Sequence, residues 1–332
     1  MSGTLVVAPN WVGDTVMALP VLEALAAAGR SPTVLARPHL APLLALCPAV
    51  GEVIPRAADD SETIAALRRD GFAEAVLLPN SFRAAWLAQR AGIPRRWGYR
   101  GNWRAPLLRP ALPRPSRKGP QVADYGELLT AMEVAPPADW VPRLRLSAAD
   151  REAGAALVER TGLPGDGPLV GLFPGAEFGP SKRWPWRRFA ELAQGLRRRL
   201  PGAGILIVVG PRETWLGVRV HEESGHVHPL AGPDLDLRGL ARLLAALDVL
   251  VTNDSGPMHL AAAVGVPCVA LFGPTDPHRT APAGDGHDVL YTDRWCSPCF
   301  RRRCPLLHHR CLKDIGVESV LAAAAAAAGE TS

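Results

Sequence analysis

Lysine is scarce in this chain of 332 residues, which has three lysines among its 37 basic residues, so that 34 are arginine. The composition is otherwise that of an ordinary globular protein, 48% hydrophobic and 21% charged. The formal net charge of +5 suits anionic ligands but is too small to indicate nucleic-acid binding by itself. Because lysine is so rare here, a lysine inside a motif is a candidate for a specific role.

Long hydrophobic runs and targeting segments are also absent. No apolar run reaches the length of a membrane span, since Asp14 interrupts the first apolar stretch, and residues 1–8 carry no basic segment. The sequence therefore predicts neither a transmembrane helix nor a signal peptide. The six cysteines fit a reduced cytoplasmic protein better than a disulfide scaffold.

Two nucleotide-binding motifs are missing. The chain contains no GxGxxG and no GxxxxGK[ST], which excludes a dinucleotide-dependent dehydrogenase and a P-loop NTPase.

The order of apolar runs predicts two α/β domains. The length is too great for one core and suggests two domains of about 150 residues each. Strand-like runs, most of them followed by a helical segment, lie at 4–8, 33–36, 52–55, 75–78, 169–173, 205–209, 227–230, 248–252 and 266–272. This alternation predicts two doubly wound, Rossmann-like domains, 1–140 and 141–332, facing across a cleft with ligand sites at the strand carboxyl ends. Packing of the alanine-rich last helix, 317–328, on the N-terminal domain is left open.

The stretch 248–275 predicts a strand, a tight turn, a helix and a second strand. Its turn is Asn253-Asp254-Ser255-Gly256, and the helix begins near Pro257. A helix that starts at a strand end points unpaired N–H groups and a partial positive charge at its ligand, which suits phosphate or diphosphate. Gly256 allows close approach to the backbone, while Ser255 and His259 add side-chain donors. An equally weighted alternative is that Ser255 only caps the helix and His259 only packs inside it.

Three further strand–loop–helix stretches carry one candidate each. In 8–20, Asp14 is either a helix cap or a carboxylate available as a general base. In 174–193, Lys182 is either a surface lysine or a cation for a diphosphate. In 208–215, Glu213 either begins a helix or binds ribose hydroxyls.

Two other stretches have unusual composition. Residues 95–120 read as a loop with no acidic residue, three aromatic residues and eight basic ones, Arg95, Arg96, Arg100, Arg104, Arg109, Arg114, Arg117 and Lys118. Near the end lie Cys296, Cys299, Cys304 and Cys311, with His308 and His309 between them. Cysteine and histidine are residue types that bind metal ions. Their spacing is not that of a standard zinc finger or ribbon, so reduced thiols in an irregular loop are favoured over a structural metal. No cofactor is predicted.

Three motifs together resemble a known family. APNWVGDTVMALP (8–20), PGAEFGPSKRWPWRRFAELA (174–193) and NDSGPMHLAAAVGVPCVALFGPTDP (253–277) are similar to the ADP-heptose:lipopolysaccharide heptosyltransferases of glycosyltransferase family 9. The forms NWVGD and GAEFGPSKRWP favour the type II group over type I. The resemblance implies a GT-B fold and metal-independent, inverting transfer of heptose from ADP-heptose to the first heptose of the lipopolysaccharide inner core.

The resemblance also implies roles for the candidates. Asp14 is the expected general base, Lys182 the partner of the diphosphate, and Glu213 a neighbour of the adenosine ribose. The donor site is expected to be lined by Asp254, Ser255, Gly256 and His259. The acceptor's carboxylates and phosphates are expected to meet the basic stretch at Arg95, Arg96 and Arg100, with a solvated arginine-rich loop as the alternative.

The expected partners are ADP-heptose and the inner-core acceptor, with peripheral contact to the inner membrane and no nucleic acid. A heptosyltransferase of type I or III stays open as an alternative. A sugar-nucleotide epimerase would need acid–base groups acting on the sugar ring, and none is found. A non-catalytic nucleotide-sugar binder is disfavoured because Asp14 and Lys182 are both retained.

Overall fold

The computed structural model describes residues 3–116, 119–163, 166–225, 228–231 and 234–329. Its contacts divide the chain into two compact units, Met1–Arg145 and Leu146–Ser332. The division lies within the proline-rich linker 134–147. The linker up to Arg145 belongs to the first unit, and the Arg145 amide donates to the carbonyl oxygen of Leu46 at 3.2 Å.

The first unit is built on one parallel sheet with the strand order β3-β2-β1-β4-β5-β6. Its strands are β1 (Gly3–Val7), β2 (Pro32–Ala36), β3 (Glu52–Pro55), β4 (Phe72–Leu77), β5 (Arg95–Tyr99) and β6 (Ala111–Leu112). Its helices are α1 (Val12–Met17), α2 (Leu19–Ala27), α3 (Ala41–Leu44), α4 (Asp60–Asp70), α5 (Phe82–Arg90) and α6 (Gly126–Ala131).

The second unit repeats that architecture with the strand order β12-β11-β10-β7-β8-β9, again all parallel. Its strands are β7 (Leu169–Phe173), β8 (Gly204–Val209), β9 (His228–Ala231), β10 (Val249–Asn253), β11 (Cys268–Phe272) and β12 (Asp288–Tyr291). Its helices are α7 (Ala148–Glu159), α8 (Trp186–Arg199), α9 (Thr214–Ser224), α10 (Leu237–Leu244), α11 (Gly256–Ala263), α12 (Pro277–Thr280), α13 (Arg310–Lys313) and α14 (Val317–Ala327).

Both sheets have the same order when strands are counted within each unit, with the reversal between the first and fourth strands. Central strands such as β8 are buried along their whole length, because helices cover both faces of a parallel sheet. The predicted α/β class with two doubly wound sheets is confirmed. At such a reversal the loops after two neighbouring strands diverge and leave space for a ligand, which fixes where sites are expected.

The prediction of a loop at the start of the basic stretch is wrong. Residues 95–99 form β5, which pairs with β4 and is followed by the short strand β6. The sequence of β5 begins with two arginines and therefore lacks the apolar run of a buried strand. Strand β12 also went unpredicted, since its first residues are exposed.

The helical segment after β1 is two helices, α1 and α2. Pro20 has no amide hydrogen, so the hydrogen bond that would continue α1 into α2 cannot form. The chain turns at Ala18, whose amide donates to the carbonyl oxygens of Asp14 and Thr15, each at 3.1 Å.

The C-terminal helix α14 packs within the second unit. Val320, Leu321, Ala324 and Ala325 join the core formed by β7, β8 and α8. Leu321 lies close against Gly195 of α8, where an added Cβ would be 3.0 Å from its Cδ2 atom. No helix among the described residues combines the length and the apolar character needed to cross a membrane.

Candidate functional site

The turn between β10 and α11 lies at the strand reversal of the second sheet. Ser255 occupies the N-cap position, but its side chain makes no capping hydrogen bond and its Oγ lies 3.3 Å from Oγ1 of Thr252. Gly256 is the first helical residue, and Pro257 has no N–H to offer. The first-turn amides of Gly256 and Met258 have no helical acceptor. The Ser255 hydroxyl therefore does not cap the helix, and α11 presents its amino end at the carboxyl edge of the sheet.

A buried ion pair lies beside that turn. The Nζ atom of Lys182 is 2.5 Å from Oδ2 of Asp254, and the two side chains are only 13% and 4% exposed. Oδ2 also accepts a hydrogen bond from the hydroxyl of Thr275. The Lys182 ammonium lies 4.9 Å from the ring centre of Phe178. Lys182 is thus not a surface lysine, and its charge is fixed next to α11.

His259 lies one turn into α11 and is buried. Burial lowers the pKa of its imidazole to about 4; the nearby charge of Asp254 opposes this shift, and that of Lys182 adds to it. The ring is therefore neutral at pH 7, with one nitrogen as donor and the other as acceptor.

Glu213 is the residue before α9, yet its carboxylate does not cap that helix. Its Oε1 accepts from the amide of Ala176 at 2.9 Å and from the Arg183 guanidinium at 2.6 Å. An added Cβ on Gly175 would lie 2.2 Å from Oε2, so a larger residue there would have to displace the Glu213 carboxylate. Glu213 thus fastens the loop after β7, and contact with a ribose stays a prediction.

Asn253, at the end of β10, was missed by sequence reasoning. Its Nδ2 donates to the carbonyl oxygens of Pro174 and Gly175 at 2.9 and 3.2 Å, and its Oδ1 accepts from the amide of Trp184 at 2.9 Å. The side chain is fully buried. It therefore clamps both ends of the loop that carries Lys182.

In the first unit, Asp14 is half-buried in the first turn of α1. The N-cap residue of α1 is Trp11, so the alternative that Asp14 is the cap is wrong. Gln121 donates from Nε2 to Oδ1 of Asp14 at 3.0 Å. This contact, between residues far apart in sequence, orients the carboxylate.

Arg96 is a framework residue rather than an exposed binding group. It is 5% exposed, and its guanidinium donates to three backbone carbonyl oxygens, those of Ile93, Pro94 and Leu107. Burial, together with the neighbouring charge of Arg109, lowers its pKa. Its donors are used to fasten β5, which corrects its expected place on an acceptor surface.

The other two arginines expected there, Arg95 and Arg100, are exposed. Arg100 donates from Nε to the carbonyl oxygen of Ala111 at 3.1 Å. Arg117 and Lys118 lie outside the described residues.

Three arginines that the sequence did not single out surround a cavity of about 180 Å³ in the first unit. Arg37 follows β2, Arg56 follows β3 and Arg83 lies in α5. Arg37 donates to Oδ1 of Asn10 at 2.8 Å, and Arg83 forms an ion pair with Asp60 at 2.6 Å.

Arg56 differs from the two arginines beside it. Among the described residues, none forms a hydrogen bond or ion pair with its guanidinium. Burial lowers the pKa of Arg56, and the charges of Arg83 and Arg37 lower it further. The charge of Asp60 opposes this shift, but Asp60 forms its ion pair with Arg83. The cavity is therefore a basic pocket in which Arg56 has no direct partner among the described residues.

The four cysteines near the end line a second cavity together with Ser181 and Pro274. All four are free and half-buried, and the Sγ atom of Cys296 is 4.0 Å from Nε2 of His308. Within the part of the chain that the structure describes, no three His, Cys, Asp or Glu side chains are grouped so as to hold a metal ion. Reduced thiols rather than a structural metal stay a prediction for these cysteines.

Known proteins similar to this chain belong to one family. The profile of glycosyltransferase family 9 (heptosyltransferase) matches residues 62–309. Lipopolysaccharide heptosyltransferase 2 of Escherichia coli is 33% identical over 303 residues, 84% of each chain. Lipooligosaccharide heptosyltransferase 2 of Haemophilus influenzae is 32% identical over 312 residues, 86% of this chain and 87% of that protein. The solved structure of E. coli ADP-heptose lipopolysaccharide heptosyltransferase II superposes with a TM-score of 0.84 at 31% identity, covering 98% of both chains.

The predicted GT-B fold and the predicted family are both confirmed by these matches. The chain belongs to glycosyltransferase family 9, the heptosyltransferases, and is a glycosyltransferase.

Proposed function

We propose that this protein transfers L-glycero-D-manno-heptose from ADP-heptose to the first heptose of the lipopolysaccharide inner core, the reaction of heptosyltransferase II. The observation that carries the proposal is the ammonium of Lys182 held beside the amino end of α11 at the strand reversal of the second sheet. The relatives described above, from E. coli and H. influenzae, are of type II and support the choice over type I or III.

The second unit is assigned to the donor. A diphosphate leaving group needs positive charge and N–H donors, which Lys182 and the first turn of α11 supply. Neutral His259 adds a donor without adding charge. Glu213 is assigned to the ribose hydroxyls, with its Oε1 already fixed by Ala176 and Arg183.

Asp14 is assigned the proton transfer. In an inverting displacement the acceptor hydroxyl attacks the anomeric carbon, its proton passes to a base, and ADP leaves from the opposite face. The Asp14 carboxylate is that base, and the hydrogen bond from Gln121 restricts its orientation.

The acceptor's anionic groups are assigned to the first unit. Arg56 is the first candidate, because its charge lies in a cavity beside two other arginines and its guanidinium has no hydrogen bond or ion pair with a described residue. Arg95 and Arg100 are exposed and are assigned a secondary role in binding the acceptor. Arg96 is not, because its guanidinium already donates to backbone carbonyl oxygens. An acceptor of this kind sits in the inner membrane, so a cytoplasmic enzyme in peripheral contact with the membrane is part of the proposal.

The test is incubation with ADP-heptose and a series of core acceptors carrying no, one or two heptoses. We expect ADP release and a mass increase of one heptose only with the one-heptose acceptor. Transfer to the acceptor without heptose would instead indicate type I, and transfer to the two-heptose acceptor type III. Absence of ADP release with all three would contradict the proposal.

A further inference from the structure

The loop 294–310 concentrates exposed apolar side chains. Of the ten large hydrophobic residues that are exposed in the described structure, four lie between residues 295 and 307. Trp295 is 88% exposed and Leu307 82%, with Phe300 at 58% and Leu306 at 44%. Such a concentration differs from the scattered exposed apolar residues of an ordinary surface and marks an interaction site.

The same loop also carries positive charge. Residues 295–313 contain no Asp or Glu, and Arg301, Arg302 and Arg303 are consecutive and exposed. Arg301 and Arg303 form no ion pair with any described residue. Two acids flank this stretch in sequence: Asp293 is exposed, and Asp314 is engaged by Arg294 and Arg310.

The exposed side chains are presented by a constrained backbone. Phe300 and Leu307 both have left-handed conformations, with φ of 53° and 58°, which non-glycine residues adopt at a cost. The loop is compact, since Cys296, Cys299 and Cys304 line one cavity. Its apolar side chains extend into solvent, while the ends and the middle of the loop are held in place.

The contacts that hold the loop join it to the loops on either side of the Lys182–Asp254 pair. The amide of Phe300 donates to the carbonyl oxygen of Pro274 at 2.8 Å, next to Thr275. The hydroxyl of Ser181, next to Lys182, donates to the carbonyl oxygen of Arg301 at 2.5 Å.

We propose that the loop 294–310 docks on a bilayer surface rich in anionic lipid, inserting Trp295 and Leu307 while its arginines meet the headgroups. Tryptophan favours the membrane–water interface, aliphatic side chains gain from burial in the acyl boundary, and arginine is attracted by anionic headgroups. The absence of acidic residues removes the repulsion that such headgroups would otherwise meet. The inference rests on the proposed function only for the idea that the acceptor is membrane-borne.

The experiment is co-sedimentation of the full chain with vesicles of phosphatidylcholine alone and of phosphatidylcholine with about one third phosphatidylglycerol, without donor or acceptor. The variants are Trp295→Ser/Leu307→Ser and, as matched control, Trp103→Ser. Trp103 is 92% exposed and lies in the other arginine-rich stretch. A third variant, Arg301→Gln/Arg303→Gln, tests the charge.

We expect the parent to prefer anionic vesicles and to lose binding as salt is added, because screening shortens to roughly 10 Å at 0.1 M. The Trp295→Ser/Leu307→Ser variant should bind at least about tenfold more weakly, as two inserted apolar side chains are lost. Trp103→Ser should bind like the parent, and Arg301→Gln/Arg303→Gln should lose the preference for anionic lipid. All replaced side chains are exposed, so melting temperatures should not change.

The proposal is overturned if the parent does not sediment with either vesicle, as expected of a surface that binds a protein instead. It is equally overturned if the Trp295→Ser/Leu307→Ser variant binds like the parent, or if Trp103→Ser loses as much. Transfer to a detergent-free, truncated acceptor should be the same in that double variant and the parent. Failure of the parent to transfer heptose would contradict the proposed function while leaving the vesicle result intact.

Discussion

The two units share a strand order but differ in how charge is arranged at their strand ends. In the second unit the cations are matched by acids, since Lys182 pairs with Asp254 and Arg183 with Glu213. In the first unit three arginines surround one cavity, and among the described residues only Arg83 has an ion pair, with Asp60. The scaffold thus decides where a site lies, and the loop residues decide its chemistry.

The two units therefore differ in how their charged side chains are arranged before a ligand binds. The matched pairs of the second unit hold the loops around Asn253 in place without a ligand, so its donors are already oriented. In the basic pocket of the first unit, no described residue forms an ion pair with Arg56, so an anionic ligand could pair with it. Substitutions in either unit can test this difference.

The largest effect is expected at Asp14. Asp14→Asn keeps the hydrogen-bonded shape but removes the base, and turnover should fall about 10²- to 10⁴-fold. Steady-state rates are compared with those of Glu127→Gln, which neutralises an exposed carboxylate of the same unit. ADP affinity and melting temperature should stay at parental values. A loss of less than about tenfold would show that Asp14 is not the base.

The next effect is expected at Lys182. Lys182→Met removes a cation from the donor site and leaves Asp254 buried without its partner, so ADP affinity should fall about tenfold to a hundredfold and stability should fall too. Lys313→Met, at an exposed lysine, is the control.

The double variant Lys182→Met/Asp254→Asn separates the two effects of losing Lys182. Removing both charges should restore much of the melting temperature, because no unpaired buried charge remains, but should not restore ADP affinity measured by isothermal titration. Recovery of the ADP affinity would show that Lys182 acts only as a structural counter-ion of Asp254.

A smaller, substrate-selective effect is expected in the first unit. Arg56→Gln should raise the Michaelis constant for acceptor about tenfold and leave that for ADP-heptose unchanged, since it removes a charged hydrogen-bond donor. The rise should shrink with added salt. Arg95→Gln, on the exposed end of β5, should have a weaker effect. Equal changes in both Michaelis constants would place Arg56 outside the acceptor site.

The smallest effect at neutral pH is expected at His259. Its folded-state pKa of about 4 lies below an ordinary value near 6.5, so only the unfolded chain gains this proton as the pH falls between those values. Stability from the neutral imidazole is complete above pH 6.5 and is lost toward pH 4, up to about 3 kcal/mol.

Denaturant unfolding at several pH values tests this dependence. His259→Gln should lose less stability than the parent between pH 6.5 and 4, and His278→Gln, at an exposed histidine, should follow the parent. Parallel pH curves for the parent and His259→Gln would contradict the assignment.

Sequence reasoning reached those parts of the fold and site that depend on local pattern. Apolar runs predicted β7 and β10, and the turn after β10 pointed to Asp254 and Ser255. It failed where side chains meet across long separations. Gln121 contacts Asp14 over 107 residues, and Asn253 contacts Pro174 over 79.

The structural roles of the arginines were the hardest to predict from the sequence. Arg96 fastens a strand from inside although its sequence context is that of a basic loop. Arg37, Arg56 and Arg83 converge only because they follow or flank different strands of one sheet. With arginines so numerous, no single one stands out in the sequence.

The burial of Lys182 has a consequence for chemical labelling. Its ammonium is held by Asp254 and its side chain is 13% exposed, whereas Lys313 is exposed. An acylating reagent needs a free, deprotonated amine, so it modifies Lys313 rapidly and reaches Lys182 only when the ion pair opens. In a chain with three lysines, the acylated Lys182 peptide is resolved by mass without any engineered probe. The rate of its appearance therefore measures how often the loop before α8 opens in the native protein.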